Sequence, residues 1–232
     1  MARRAAESAR AFRDLAYPLD MPSKRTTVRR HPERGAYDRA TIDAILDEAL
    51  ICHLGFVIEG QPYVIPTIHA RDGDILYIHG SPGSRMLRNV KEGVDVCVTA
   101  TLLDGLVLAR SVYNHSMNYR SAVVLGRAHE VTDREAKLCA MERIVEHVVP
   151  GRWADARQPN EGELDGTTIL TISLDEASAK IRNGPPKDFD EDLALPIWAG
   201  VIPLELVASP PIAAEGVDGT PPSYASSYPR LT

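Results

Sequence analysis

No apolar run in these 232 residues approaches the roughly 18 that a membrane-spanning helix needs. Cysteine is scarce, with Cys52, Cys97 and Cys139 far apart and no CxxC pair. An odd, dispersed set excludes a disulfide scaffold and predicts reduced, buried thiols in a cytoplasmic protein. No GxxxxGK[ST], GxGxxG, GxSxG or HExxH run is present, so a P-loop, a dinucleotide fingerprint, a serine-hydrolase elbow and a zincin helix are excluded. Seven histidines are present but none forms an HxH or a Cys/His cluster, which argues against a metal centre. The Arg3–Arg4 pair lacks the continuous apolar stretch of an export signal. Positive charge is also short: 26 Lys and Arg against 32 Asp and Glu leave a net charge of −6. A nucleic-acid binder that relies on phosphate neutralisation is a poor fit to that balance. No internal repeat is visible.

What the chain does have is an ordinary globular composition, 44% hydrophobic and 25% charged. Charge divides it: residues 1–36 carry +5 and the remaining 196 carry −11. Residues 1–36 read as a basic arm, 37–207 as one domain, and 208–232 as an irregular Pro/Ser-rich tail. Ile42, Ile45, Leu46, Ala49 and Leu50 recur at helical spacing and predict a helix over 41–50. Strand-length segments follow at 52–59, 63–70, 74–79, 94–103, 106–112, 121–131, 167–173, 177–183 and 201–207. Gly60-Gln61 and Asp72-Gly73-Asp74 mark turns between the first three. Two further helices are expected, one from Ser84 to about Lys91 and one over 132–149, opened by a Thr132/Glu135 capping box. Strands in close succession with few helices favour an antiparallel barrel with helices packed outside.

Residues 62–87 carry the most chemical information. Pro66 interrupts a hydrophobic strand and removes a ladder N–H, the mark of a sheet edge or of a place where the strand's neighbour is something other than a strand. A flat heterocycle there would use the backbone groups of Ile65 and Thr67. Further on, Gly80-Ser81-Pro82-Gly83 turns into a helix at Ser84-Arg85. Such a turn leaves N–H groups free for a phosphate, with Arg85 adding a charge-assisted contact; taken alone, Ser84 reads better as a plain N-cap. Asn118-Tyr119-Arg120-Ser121 opens a later strand.

Taken together, Pro62 to Pro66, the Asp72-Gly73 turn, Ile75 to His79, Gly80 to Arg85 and Tyr119-Arg120-Ser121 resemble the pyridoxamine 5′-phosphate oxidase-related flavoproteins. The closest pattern is the flavin-nucleotide-binding and 5-nitroimidazole-resistance (Nim-type) branch, and the likeness runs over about residues 28–207. The resemblance implies a mainly β fold, a six-stranded antiparallel split β-barrel (Greek key) with flanking helices, paired as a homodimer with two FMN sites across the interface. By position, Ser84 and Arg85 would hold the FMN phosphate. Ile65, Pro66 and Thr67 would lie along the isoalloxazine, with His79 and Gly80 beside the ring or ribityl chain. Asn118, Tyr119 and Arg120 would come from the partner subunit, and Trp198 would cap the site. Lys180 and Arg182 are further anion-binding candidates.

Two departures shape the functional expectation. The C-terminal Arg-x-His substrate patch of pyridoxamine-phosphate oxidases is absent, and Arg85 stands where the Nim pattern has Lys. The expected activity is therefore FMN-dependent transfer of electrons from NAD(P)H to a small electrophile of nitroaromatic or quinone type, with the chemistry on the flavin. The alternatives are a flavin- or haem-binding protein without turnover, with His79 or His69 as haem ligand, and a reductase using the deazaflavin F420.

Overall fold

The computed structural model describes residues 22–84, 87 and 92–231. Arg85, the expected phosphate anchor, and most of the 84–91 helix lie outside them. Nine antiparallel strands form one sheet: β1 (Gly35–Ala36), β2 (Ile51–Ile58), β3 (Gln61–Asp72), β4 (Ile75–Gly80), β5 (Glu92–Leu108), β6 (Ser116–Glu130), β7 (Thr168–Ser173), β8 (Ala177–Arg182) and β9 (Gly200–Pro203). Six of them, in the order β6-β7-β4-β3-β2-β5 and back to β6, close a ring of pairings. The helices are α1 (Arg39–Glu48), α2 (Arg134–Val148), α3 (Arg152–Asp155), α4 (Glu161–Asp165) and α5 (Ser223–Ser226). The architecture is mainly β with flanking helices, as the pattern of short strands predicts.

The ring is built by tight turns. Glu59 and Gly60 both have positive φ (50° and 79°), the two-residue turn whose twist matches its flanking strands, and they join β2 to β3. Gly73 (φ 57°) does the same between β3 and β4. The inner faces bury Cys52, Leu54, Phe56, Val96, Val98, Ala122, Val124 and Ile172, and α1 adds Ile42, Ile45 and Leu46 to the same core. Asp38 caps α1 by accepting the Thr41 N–H at 2.9 Å.

Several boundaries differ from expectation for identifiable reasons. The segments 94–103 and 106–112 are one strand, β5, which ends at Leu108. A register shift between Leu103 and Gly105 absorbs the apparent break. Gly105 is required there because β9 comes so close that a Cβ would stand 3.0 Å from the Ile202 carbonyl oxygen. Asp133, rather than Thr132, caps α2 and accepts the Ala136 N–H at 2.8 Å. A carboxylate answers both the free N–H and the helix dipole. Of the thiols, only Cys52 is buried; Cys97 is half-buried and Cys139 lies exposed on α2, whose packed face carries Ala140 and Ile144.

The tail is anchored rather than irregular at its end. The Tyr228 hydroxyl donates to the Val148 carbonyl. The Arg230 guanidinium donates to the carbonyls of His147, Asp47 and Glu48, joining the C-terminal ends of α1 and α2. These are the orphan carbonyls that a helix end presents, and a cation is the favourable partner for them. Arg230→Ala is expected to lower stability by about 1–3 kcal/mol, read from denaturant unfolding.

Beneath this clamp His69 and His147 stack with ring centroids 4.9 Å apart. Each places Nε2 2.9 Å from a carbonyl oxygen, of Leu46 and Ala49 respectively. Burial first, then the neighbouring His69 and Arg230, pushes His147 down to about 4, and burial also lowers His69. Both rings are therefore neutral in the folded state, while the unfolded chain takes up protons below the ordinary value of 6.5. Stability should be complete above that value and fall as pH drops toward 4, with a slope of up to about 1.4 kcal/mol per pH unit for each proton. Urea unfolding between pH 7 and about 4 checks this, and His147→Gln should flatten the slope.

Candidate functional site: the gap between β3 and β4

Among the described residues, the pairing of the ring lapses between β3 and β4. β3 pairs with β2 through residues 61–68, but with β4 only from His69 to Asp72. Beyond the His69–Ile78 pair the two strands part, and β4 stays with β7 as far as Gly80. The two tight turns fix which backbone groups face the gap. A two-residue hairpin makes its flanking pair a hydrogen-bonded one, and such pairs then alternate along the ladder. Counting from Ile58–Gln61, the amides of Tyr63, Ile65 and Thr67 are spent on β2. Those of Val64, Pro66 and Ile68 point the other way, and counting from Asp72–Ile75 gives the same parity and turns His79 toward them. The free groups are thus at 64, 66 and 68, not at the expected Ile65 and Thr67, whose side chains lie on the inner side of β3. Pro62 and Pro66 both occupy positions where a missing N–H costs no ladder bond.

The rest of the gap is lined by predicted residues. His79 is half-buried and its Nδ1 is buried without a hydrogen-bond partner. Burial alone lowers its pKa, so the ring is neutral. Gly80 meets Leu87 closely, since a Cβ there would stand 2.9 Å from Leu87 Cδ1. The Ser84 hydroxyl accepts the Leu87 N–H at 3.1 Å, and the Ser84 N–H donates to the Ser81 carbonyl at 2.9 Å. Ser84 is therefore an N-cap here. Gap and turn together offer unpaired amides, one neutral imidazole and no carboxylate pair, an arrangement suited to holding a flat polar ring rather than to acid–base catalysis.

The remaining predicted residues gather elsewhere. Asn118 is buried, donates to the Gly184 carbonyl at 3.2 Å and accepts from Arg182. Arg120 is held by Glu48 and by Asp104, whose Oδ1 lies 2.8 Å from Nη2, and these partners raise its pKa. Tyr119 pairs across the sheet with Leu103 and Arg182. Trp198 is 66% exposed and packs its ring over Gly200. Within one chain this second group belongs to the β5, β8 and β9 side of β6, remote in strand order from the gap. His69, suspected as a haem ligand, is enclosed beneath α1 with Nε2 already bonded, and cannot present itself to a ligand.

The sequence from Asp38 to Ile181 matches the family described as pyridoxamine 5′-phosphate oxidase. The chain belongs to that family. Among solved structures of its relatives, the flavocytochrome Anf3 from Azotobacter vinelandii is similar at 40% identity and a TM-score of 0.82, covering 88% of this chain and 94% of that one. The FAD and haem binding protein from Mycobacterium smegmatis is similar at 35% identity and a TM-score of 0.80, covering 85% and 97%. A candidate 5-nitroimidazole antibiotic resistance protein from Bacteroides thetaiotaomicron follows at 25% identity and a TM-score of 0.54, covering 63% and 86%. No curated protein sequence matches the chain. The Nim-type likeness read from residues 62–87 and 119–121 is thus present, but two family members match over far more of the chain.

The parity of β3 makes a direct test. Val64→Pro removes an amide from the gap edge and should change stability by less than about 1 kcal/mol, whereas Ile65→Pro removes a ladder bond and should cost about 3 kcal/mol or more. Equal losses in denaturant unfolding would show that the register is misread.

Proposed function

We propose that this protein is a flavin-binding redox protein that also carries haem, with the flavin ring set against the free edge of β3. The near-full-length likeness to Anf3 and to the M. smegmatis protein carries this reading, since one is a flavocytochrome and the other an FAD and haem binding protein. The gap fits the flavin: amides at 64 and 68 and the lone carbonyl of Pro66 face a space that no strand among the described residues fills, and His79 on β4 keeps a buried Nδ1 without a partner. In this reading the ring of six strands is the family's split barrel.

When bound, the flavin supplies the step between two-electron and one-electron chemistry. The chain's part is to hold and orient. The free β3 amides fix the polar edge of the ring, and the hydrophobic wall of Tyr63 stacked on Phe56 (5.6 Å) stiffens the strand behind it. His79 stays neutral and offers Nδ1 as a hydrogen-bond partner. The turn 80–84, with Arg85 after it, takes the phosphate. The isoalloxazine and first phosphate are common to FMN and FAD, and the M. smegmatis relative favours FAD. Asn118, Tyr119 and Trp198, remote from the gap in their own chain, complete the site if a second copy pairs with the first. The electron donor is NAD(P)H and the acceptor a small electrophile of nitroaromatic or quinone type.

The purified protein should show a flavin spectrum together with a haem Soret band, and flavin released by denaturation should be identifiable as FMN or FAD. After incubation with excess of either flavin and desalting, one should remain in a 1:1 ratio. A colourless protein that retains neither, yet is folded by circular dichroism, overturns the flavin reading.

A further inference from the structure

The outer face of β2 and its neighbours is flat, apolar and carries one imidazole. Cross-strand partners share a face, so His53 stands beside Pro66 on β3 and Thr99 on β5. Around it Val64 is 67%, Val57 53% and Ile51 51% exposed, a concentration of apolar side chains that an isolated soluble sheet face does not ordinarily show. Gly55, two residues along, leaves the floor level, since an added Cβ would make only ordinary contacts of 3.4 Å and more. From Ile51 to Val57 the patch runs roughly 20 Å, and across β3, β2 and β5 roughly 10 Å, enough for a porphyrin lying on the sheet.

The histidines sort themselves by occupation. His31 is bonded to Glu33, His69 to Leu46, His115 to Ser111 and His147 to Ala49. His79 has its Nδ1 buried without a partner. His129 sits at the far end of β6, beside exposed Arg127 and opposite the Glu92 end of β5. Only His53 pairs a free side chain with an apolar field around it.

Charge on the same face is ordered too. Two residues beyond Thr99 on β5, the pairs Thr101–Ser121–Lys180 lead to Lys180 on the same face, three strand spacings or about 14 Å across from β2. The polar partner of Lys180 is a neutral oxygen, the Arg30 carbonyl. It has no carboxylate among the described residues. An apolar ring with an anionic edge is the ligand that such a face complements.

We propose that His53 is the axial ligand of a b-type haem lying on the outer face of β2, its propionate edge turned toward Lys180. This rests on the reading of the chain as a haem carrier and adds the place. It also sets the iron's ligand one strand, about 5 Å, from the β3 edge assigned to the flavin.

The test uses the full-length protein reconstituted with hemin, with flavin and haem quantified separately. Wild type should show a histidine-type Soret band and one haem per chain. His53→Ala should lose at least nine-tenths of the haem while keeping its flavin and its circular dichroism, and added imidazole should restore the band. His53→Met should shift the Soret maximum, and Cys97→Ser should leave it unchanged. Lys180→Glu should weaken hemin binding about tenfold without altering flavin content. Wild-type protein that takes no haem overturns both this assignment and the haem half of the proposed function, and a dimer in solution would then mark the face as covered by a second copy. Wild type that takes haem beside a His53→Ala variant with an undiminished band overturns the assignment alone.

Discussion

A strand must find a partner for every other backbone amide on each side, and a closed ring of strands is the arrangement that comes nearest to satisfying all of them. This chain closes its ring with six strands, and among the described residues the pairing fails where β3 and β4 separate after His69 and Ile78. The failure is set by parity. Two tight turns, each with its left-handed residues, decide that 64, 66 and 68 face outward from the ladder together with His79. Pro62 and Pro66 fall on the same side, where proline is harmless and where it blocks a further strand from docking. The site thus depends on a backbone constraint before any side chain is considered.

The helix ends packed on the ring are held by a different logic. The C-terminal ends of α1 and α2 converge, and their carbonyls concentrate negative potential beside the buried imidazole of His69 and the half-buried one of His147. Protonating either ring would answer that potential but would bury a charge. Arg230 arrives instead from the end of the tail, takes the carbonyls itself and, by its own charge, helps keep the rings neutral. The tail is therefore an electrostatic part of the core, even though much of residues 204–222 runs over the surface.

Much of the fold was legible because the sequence punctuates its strands with glycine and Asp-Gly turns, and because the helix over 39–48 shows its apolar stripe openly. The long β5 was not, since Asp104-Gly105 reads as a turn until β9 is seen crossing within 3.0 Å of the glycine. The candidate site was half legible. Pro66 singled out the strand that borders the gap, but period-two reasoning alone cannot say which parity faces it, and only the hairpin register decides that. His53 was passed over because a histidine in an alternating strand looks like an ordinary solvent-facing residue; its neighbours Val64 and Pro66 are eleven and thirteen positions away in sequence and adjacent only through pairing. The anchoring of the tail depends on three residues spread over 224–230, too few to form any pattern.

The motif at 118–121 shows how one strand can serve two faces. Arg120 points inward, where Glu48 at the end of α1 and Asp104 on β5 occupy its guanidinium from both sides. With its donors so engaged it fixes the helix against the β5–β6 ribbon and is poorly placed to reach into another molecule's site. Tyr119, one residue earlier, points the other way, onto the outer face that also bears Leu103 and Arg182. Any approach of this motif to a second copy must then run through Tyr119 and the buried Asn118–Arg182 pair behind it, with Arg120 acting from within its own chain to hold the strand that presents them.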